Sequence, residues 1–342
     1  MSRLACVAKP SLSMKPTGWF QVAWSDEIAV GEVHRMKYFD TDMVAWRAES
    51  GMVTVMDAYC EHLGAHLGYG GTVVGEVIQC PFHGWQWNNE GRNVCIPYQD
   101  RPNRGRRIPT YPTVERNSSV YLWYDTAGRE PYFDVPDIFG DFGDDSTAAD
   151  YYPQARLYRT QLELHPQYVL ENGVDFAHFK FVHQTPIVPL FTRHDFDEPV
   201  SYVDFTITFE GDEGQIIDDI NSGVEAINGG LGVAVTKSWG MVDNRTISAV
   251  TPVDENTSDV RFMVYIGRVP GDDSPKAEAK AQAFGQAVID QFAADIEIWQ
   301  HQRYTHRPGL AAAEFDGFTA IRKWANQFYQ PDHQGEPQSV SQ

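Results

Sequence analysis

The sequence predicts an α+β protein, with an all-β unit in the first third followed by a larger unit that combines an antiparallel sheet with a long C-terminal helix. Three observations carry this. From about Trp19 to Tyr124, short alternating runs such as Val53-Thr-Val-Met56 and Ser119-Val-Tyr-Leu-Trp-Tyr124 are separated by Gly, Asn and Pro clusters, the pattern of strands and tight turns. Between Thr126 and Asp150 the composition shifts to Gly, Pro and Asp, which suits a connection. Beyond it, strand-like stretches (Val200–Phe209, Arg245–Val253, Asp259–Val269) precede a helix that opens with Ser274 as N-cap and Pro275 at the first helical position, expected to run to about Tyr304. A helical pattern also covers Pro166 to Val182. Another covers Gly317 to Phe328, with Phe318, Ile321, Trp324 and Phe328 on one face. The domains are therefore read as 17–125 and 126–342, with residues 1–16 packing on the second and a polar, disordered tail from Pro331.

The chain of 342 residues carries a formal charge of −20, which excludes nucleic acid as a partner because no basic surface is available to displace counterions from phosphates. No apolar run reaches the roughly 20 residues of a membrane span, and the apolar run at the N-terminus is too short for a secretory signal. A cytoplasmic protein is expected. Cys6, Cys60, Cys80 and Cys95 are too few and too scattered for a disulfide scaffold.

Two of those cysteines sit in a pattern. The segment Tyr59-Cys60-Glu-His62-Leu-Gly-Ala-His-Leu-Gly is followed, seventeen residues after His62, by Cys80-Pro-Phe-His83-Gly-Trp85. Two Cys/His pairs on Gly-rich loops, separated by a β-type insert, can face each other around metal. A structural zinc site would use the same four side chains, but zinc loops place two to four residues between paired ligands and Cys-x-His has one. Packing without metal suits lone residues better than two matched pairs. A [2Fe–2S] centre in which two histidines replace two cysteines on one iron is the third reading, and the pattern favours it. Cys6 and Cys95 lie outside the pattern, and His66 is read as an ordinary loop residue.

A second constellation, Glu171-Asn172-Gly-Val-Asp175-Phe-Ala-His178-Phe-Lys-Phe-Val-His183, sets two imidazoles among acidic and aromatic residues. On a helix Asp175 and His178 lie about 60° apart, whereas His183 would point about 140° away from His178. The two histidines can share a metal only if the helix ends or distorts between them. Two imidazoles leave a site incomplete; one carboxylate would complete a facial triad with open positions. On the long helix, Phe284, Val288, Phe292 and Trp299 form an apolar stripe, and Asp295 falls inside it, about 20° around from Phe284. Asp290 and Glu297 point away. A carboxylate on a buried face is costly unless it is paired or bound to a cation, so Asp295 is the expected third ligand.

With these residues in place, the chain resembles the Rieske non-haem iron oxygenases, α subunits in particular. Cys-x-His-x17-Cys-x2-His is that family's cluster pattern, Asn172-x2-Asp175-x2-His178-x4-His183 is similar to its iron motif, and Asp295-Ile-Glu-Ile-Trp299 to its C-terminal ligand segment. Within it, the likeness is greatest to the oxygenase component of 3-ketosteroid 9α-hydroxylase, and extends to Gly91-Arg92, Pro97-Tyr98 and Arg322-Lys-Trp-Ala-Asn-Gln-Phe-Tyr329. Between about Gln184 and Ser258 little matches.

The resemblance implies a helix-grip catalytic domain. It puts Cys60 and Cys80 on one iron of the Rieske cluster, His62 and His83 on the other, and a mononuclear Fe(II) on His178, His183 and Asp295. It further implies that an NADH-dependent flavin/ferredoxin-type reductase supplies electrons and that Asp175 relays them between subunits of a homotrimer. Asn172 would stand beside the iron, and a hydrophobic, steroid-like substrate would be oxidised with O2. Oxidation of another aromatic or alicyclic substrate, demethylation or desaturation would use the same iron. A Rieske electron carrier without the second iron, and a zinc-stabilised binding module, are the rival classes.

Overall fold

The computed structural model describes residues 12–185, 189–207, 222–240, 242–271 and 274–329. Its backbone forms two compact units that divide between Gly18 and Trp19 and between Tyr132 and Phe133. Cys6, the tail from Pro331 and the end of the expected strand at Phe209 lie outside the described residues.

Among the described residues the unit 19–132 is built of β-strands with one short 3₁₀ turn. Three small sheets make it up, one of them running Thr72–Val74, Val77–Gln79, Gln86–Trp87, Asn93–Cys95. This last sheet carries the turn that holds Cys80. Its residues alternate, so Ile78 and Trp87 turn inward and pack with Trp46, Leu67 and Ile108 into a core that also buries Cys60 and Cys80.

In the second unit, seven antiparallel strands form one sheet in the order Ala155–Leu162, Ser258–Ile266, Asn244–Pro252, Val233–Trp239, Ser222–Gly229, Val200–Ile207, Leu190–Asp195. A long helix, α3 in the chain order α1 (Pro166–Glu171), α2 (Phe176–Phe181), α3 (Pro275–Trp299) and α4 (Phe315–Ala325), packs on Ser258–Ile266 and Ala155–Leu162. On its sheet-facing side α3 sets Gly285 against Ile266, Ala155 and Val264. The fold is α+β with a long C-terminal helix on an antiparallel sheet, as the sequence predicts.

Three helix boundaries differ from expectation, each for a visible reason. The single helix expected over 166–182 is two short ones: after a 3₁₀ turn Asn172–Val174, Asp175 leaves helical geometry (φ −83, ψ 86) and its carboxylate caps α2 by accepting from the His178 N–H. The long helix stops at Trp299, not Tyr304: the His301 and Gln302 N–H groups turn to the carbonyls three residues back, Ile298 and Trp299, and the Tyr304 N–H goes to the Tyr168 hydroxyl at 3.1 Å. The last helix runs Phe315–Ala325 and tightens into a 3₁₀ turn to Phe328. At the start of α3, Ser274 is the N-cap, its hydroxyl accepting from the Ala277 N–H at 3.2 Å.

Residues 133–150 are bound into the second unit rather than forming a loose connection. Val135 and Ile138 are buried. The buried Arg245 donates to both oxygens of Asp144 at 2.9 and 2.7 Å, to the Ile138 carbonyl and to the Tyr151 hydroxyl. Burial alone would raise the Asp144 carboxyl, but its contacts with Lys237, Ser146 and Arg245 outweigh that and hold it well below the usual range.

Under the segment 172–183 lies a second polar cluster. Arg322 of α4 grips Glu171 at the end of α1 with two hydrogen bonds, 3.0 and 2.8 Å, both side chains being buried. Gln167 donates to Glu171 at 2.7 Å, and the Tyr329 hydroxyl donates to Gln167 at 2.8 Å. His165, the N-cap of α1, accepts the Gln167 N–H through Nδ1 and donates through Nε2 to the Ser13 carbonyl at 2.9 Å. Burial pushes this imidazole down to about 4.

Candidate metal centres

The two Cys/His loops are built on one plan. Gly64 donates its N–H to the Cys60 carbonyl at 2.9 Å, and Gly84 donates to the Cys80 carbonyl at 3.0 Å; each cysteine N–H returns to a carbonyl just beyond, Ala65 or Trp85. Both glycines have left-handed backbones (φ +76 and +70), and a Cβ on Gly84 would meet Pro97 at 2.8 Å. The plan fixes each cysteine inside and turns each histidine to the rim.

His62 and His83 lie with ring centroids 4.6 Å apart, and His62 stacks on Trp85 at 4.3 Å. His83 Nδ1 is buried and has no hydrogen-bond partner among the described residues, as expected of a nitrogen aimed at a metal. A hydrogen bond between the two thiols, with burial, pushes Cys60 up. The same bond, helped by the Phe82 and His83 peptide N–H groups, brings Cys80 down to about 6. Sulfur ligands facing peptide N–H donors, opposite two imidazoles, fit a cluster with one iron on the two cysteines and the other on the two histidines. His66 accepts the Gly68 N–H at 3.0 Å and packs between Tyr59 and Tyr69, so its role is in holding the loop. Cys95, half-buried and reduced, lies outside this group.

The second site satisfies the geometric condition set by the sequence. Because α2 ends at Phe181, His183 leaves the helical path and turns back towards His178 at a ring separation of 5.1 Å. His183 Nε2 lies 3.2 Å from Asp295 Oδ2, and one ligand atom from each of His178, His183 and Asp295 falls within 4.8 Å of the others. No other group of three potential ligands among the described residues meets that criterion. Asp295 is buried, while Asp290 and Glu297 on the same helix are exposed.

Neighbouring groups orient the two imidazoles. His178 Nδ1–H donates to the Asp175 backbone carbonyl, which leaves Nε2 facing the site, 3.1 Å from the Asn172 amide. The carboxylate of Asp175 caps α2 in the same place, so it is the carbonyl and not the side chain that holds the ring. Burial lowers the His178 imidazole against the pull of Asp295 and Asp175, favouring the neutral form that offers a lone pair to a metal. Two nitrogens and one carboxylate oxygen on one side of a cavity leave positions open for other ligands, the arrangement of a 2-His-1-carboxylate iron site.

That cavity, about 520 Å³, lies between the sheet and α3. Its walls are mainly apolar: Val203, Phe205 and Val233 from the sheet, Phe284, Val288 and Phe292 from the helix. Sequence reasoning picked out every ligand candidate but missed the support beneath them, Gln167, Glu171 and Arg322. A buried charge is visible in sequence only when its apolar surroundings are periodic, as for Asp295. It also missed the polar side chains of the cavity wall, which strand pairing alone brings together.

Comparison with known proteins gives two family matches. A family describing the Rieske [2Fe-2S] domain matches residues 18–112. One describing the 3-ketosteroid 9alpha-hydroxylase C-terminal domain matches residues 122–329. The bounds of this second match enclose 184–258, where the sequence by itself showed little likeness. The chain is 30% identical over 329 residues to a 3-ketosteroid-9-alpha-monooxygenase oxygenase component of Rhodococcus rhodochrous, covering 91% of this chain and 83% of the relative. It is 29% identical over 339 residues to a cholesterol 7-desaturase of Xenopus laevis, covering 92% and 72%.

In structure it is similar to dicamba monooxygenase bound to 3,6-dichlorosalicylic acid, with a TM-score of 0.68 at 16% identity over 93% of this chain and 98% of that one. It also resembles the Pseudomonas putida protein NdmA bound to caffeine, with a TM-score of 0.61 at 18% identity over 90% and 89%. At these identities the two structures speak to fold alone, that of the Rieske oxygenases. The chain belongs to the 3-ketosteroid 9α-hydroxylase family of Rieske oxygenase components. It is an oxidoreductase acting with O2, it uses a Rieske cluster and a mononuclear iron, and as an oxygenase component it draws electrons from a separate reductase.

Proposed function

We propose that this protein hydroxylates a steroid or a similar hydrophobic polycycle, with His178, His183 and Asp295 holding the iron and Cys60, His62, Cys80 and His83 holding the cluster. The observation that carries the reading is the placement of the His178–His183–Asp295 group on the wall of an apolar cavity of about 520 Å³. A cavity of that size and lining takes a rigid apolar ligand by burying its surface. The family match and the names of the relatives support the steroid class.

When bound, the cluster supplies single electrons and the mononuclear iron activates dioxygen. The chain supplies everything around that chemistry. Asp175 holds the His178 ring through its carbonyl, Asn172 stands against the metal-facing nitrogen, and the Phe and Val walls orient the substrate and exclude water. Asp175 is also read as the electron relay from the cluster of a neighbouring subunit in a homotrimer. An NADH-dependent flavin/ferredoxin-type reductase completes the system. A cytoplasmic location suits thiol ligands that must stay reduced.

Incubation with a surrogate reductase, NADH and a panel of steroids, alongside small aromatic acids, tests the reading by product analysis. A steroid that gains one oxygen atom is the expected product; turnover of the aromatic acids with none of the steroids overturns it. The likeness to cholesterol 7-desaturases favours a second outcome of the same assay, a steroid that loses two hydrogens without gaining oxygen.

A further inference from the structure

We propose that the cavity contains a hydrogen-bonding subsite, centred on Thr236 and Thr246, that receives a carbonyl oxygen at the end of the substrate remote from the iron ligands. The inference rests on the proposed function for the shape of the ligand, and adds how that ligand is recognised and which way it lies.

Strands Val233–Trp239 and Asn244–Pro252 pair with Ala234 opposite Ser248, Thr236 opposite Thr246 and Ser238 opposite Asn244. All six line the cavity, whereas the intervening Val235 and Ile247 are fully buried and do not, as the alternation of a strand requires. A polar ladder therefore runs along a wall that is otherwise apolar. Among the described lining residues the only acid is Asp295, at the end with the candidate iron ligands, and none is Lys or Arg. No described lining residue beside the ladder is a cation that would neutralise a carboxylate, so the ladder is suited to a neutral polar group.

Counting protons gives the preferred partner. The Thr236 and Thr246 hydroxyl oxygens lie 2.5 Å apart, so one donates to the other. Two hydroxyls carry two protons, and the second has no acceptor among the described residues although Thr246 is only 8% exposed. Ser222 lines the cavity too; its hydroxyl is buried and unpartnered among the described residues. Spare donors ask for an acceptor, which a carbonyl oxygen supplies without adding a donor of its own.

Strand register places the ladder along the cavity. Ser248 pairs with Phe262, whose ring stacks on Phe292 of α3 at 4.1 Å. Thr246 pairs with Val264 and Asn244 with Ile266, the residues against which Gly285 rests. The threonine pair thus stands level with Gly285, ten residues from Asp295, or about 15 Å along the helix at 1.5 Å per residue. A rigid polycycle would put the carbon to be oxidised at the Asp295 end and its carbonyl at the threonines.

The test measures equilibrium binding to the holoprotein by calorimetry, using two ketone/hydrocarbon pairs: 5α-androstan-3-one with 5α-androstane, and 9-fluorenone with fluorene. In the double variant Thr236→Val/Thr246→Val, which keeps side-chain volume, the ketone-to-hydrocarbon affinity ratio should fall about tenfold, the worth of one net hydrogen bond. Thr246→Ser, which keeps the hydroxyl, should retain the ratio. Iron content and cluster absorption report that both variants remain folded. If the fluorenone ratio falls while neither androstane binds, the steroid reading fails and the subsite stands. An unchanged ratio in the double variant, or failure of both ketones to bind the native protein, overturns the subsite.

Discussion

Asp295 and Asp175 are both acids near the same metal site, yet their surroundings give them different work. Asp295 is buried on α3 within reach of both imidazoles, where a carboxylate without a cation is costly. Asp295→Ala should lose the mononuclear iron and keep the cluster, so that metal analysis gives two iron atoms per chain while the visible absorption persists; three iron atoms would refute the ligand role. Asp175 caps α2 with its side chain and holds His178 with its carbonyl. Asp175→Asn keeps an N-cap residue and the carbonyl but removes the charge. It should retain both metal centres and lose nearly all turnover; full activity would show that the charge does not matter to electron transfer.

His165 gives a residue-level prediction in pH. Its folded pKa of about 4 lies below the ordinary 6.5, so the unfolded chain takes up the proton first as pH falls. The stability associated with the neutral ring is present above pH 6.5 and drains away between there and about 4. The loss is on the order of 3 kcal/mol over that window, at about 1.4 kcal/mol per pH unit. Denaturant titrations across that range should show the slope in the native protein and a flatter one in His165→Gln. Equal slopes would remove His165 from the acid response.

At the scale of the element, the decisive event is the break in the segment that carries the two candidate histidine ligands. The spacing of His178 and His183 required a helix that ends or distorts, and the chain meets that requirement by stopping α2 at Phe181. The break at Asp175 was not legible, because Asx capping inside a helical pattern looks in sequence like an ordinary helical aspartate. Nor was the early end of α3, beyond which the Tyr304 N–H is bound by the hydroxyl of Tyr168, 136 residues away. The pair Glu171–Arg322, which ties α1 to α4 beneath the site, lay equally out of view. Arg322→Ala should cost about 3 to 5 kcal/mol, since it strands a buried carboxylate. A loss below about 1 kcal/mol in urea unfolding would show that Glu171 finds other partners.

For the whole molecule, the sequence picks out candidate ligands more completely than it shows how the walls around them are made. Ligand spacing within each loop is local, and an apolar stripe exposes a misplaced acid such as Asp295. The seven-stranded order, and with it the meeting of Thr236 and Thr246, depends on pairing between strands that no local pattern specifies. The central claim is that one chain holds two separate iron centres, the second on side chains from α2, the residues just after it and α3. Anomalous diffraction at the iron absorption edge, from crystals of the purified holoprotein, measures this directly. The account predicts one peak among Cys60, His62, Cys80 and His83, and a second within about 2 Å of a ligand atom on each of His178, His183 and Asp295. A peak at the cysteine loops with none at the second site would contradict it.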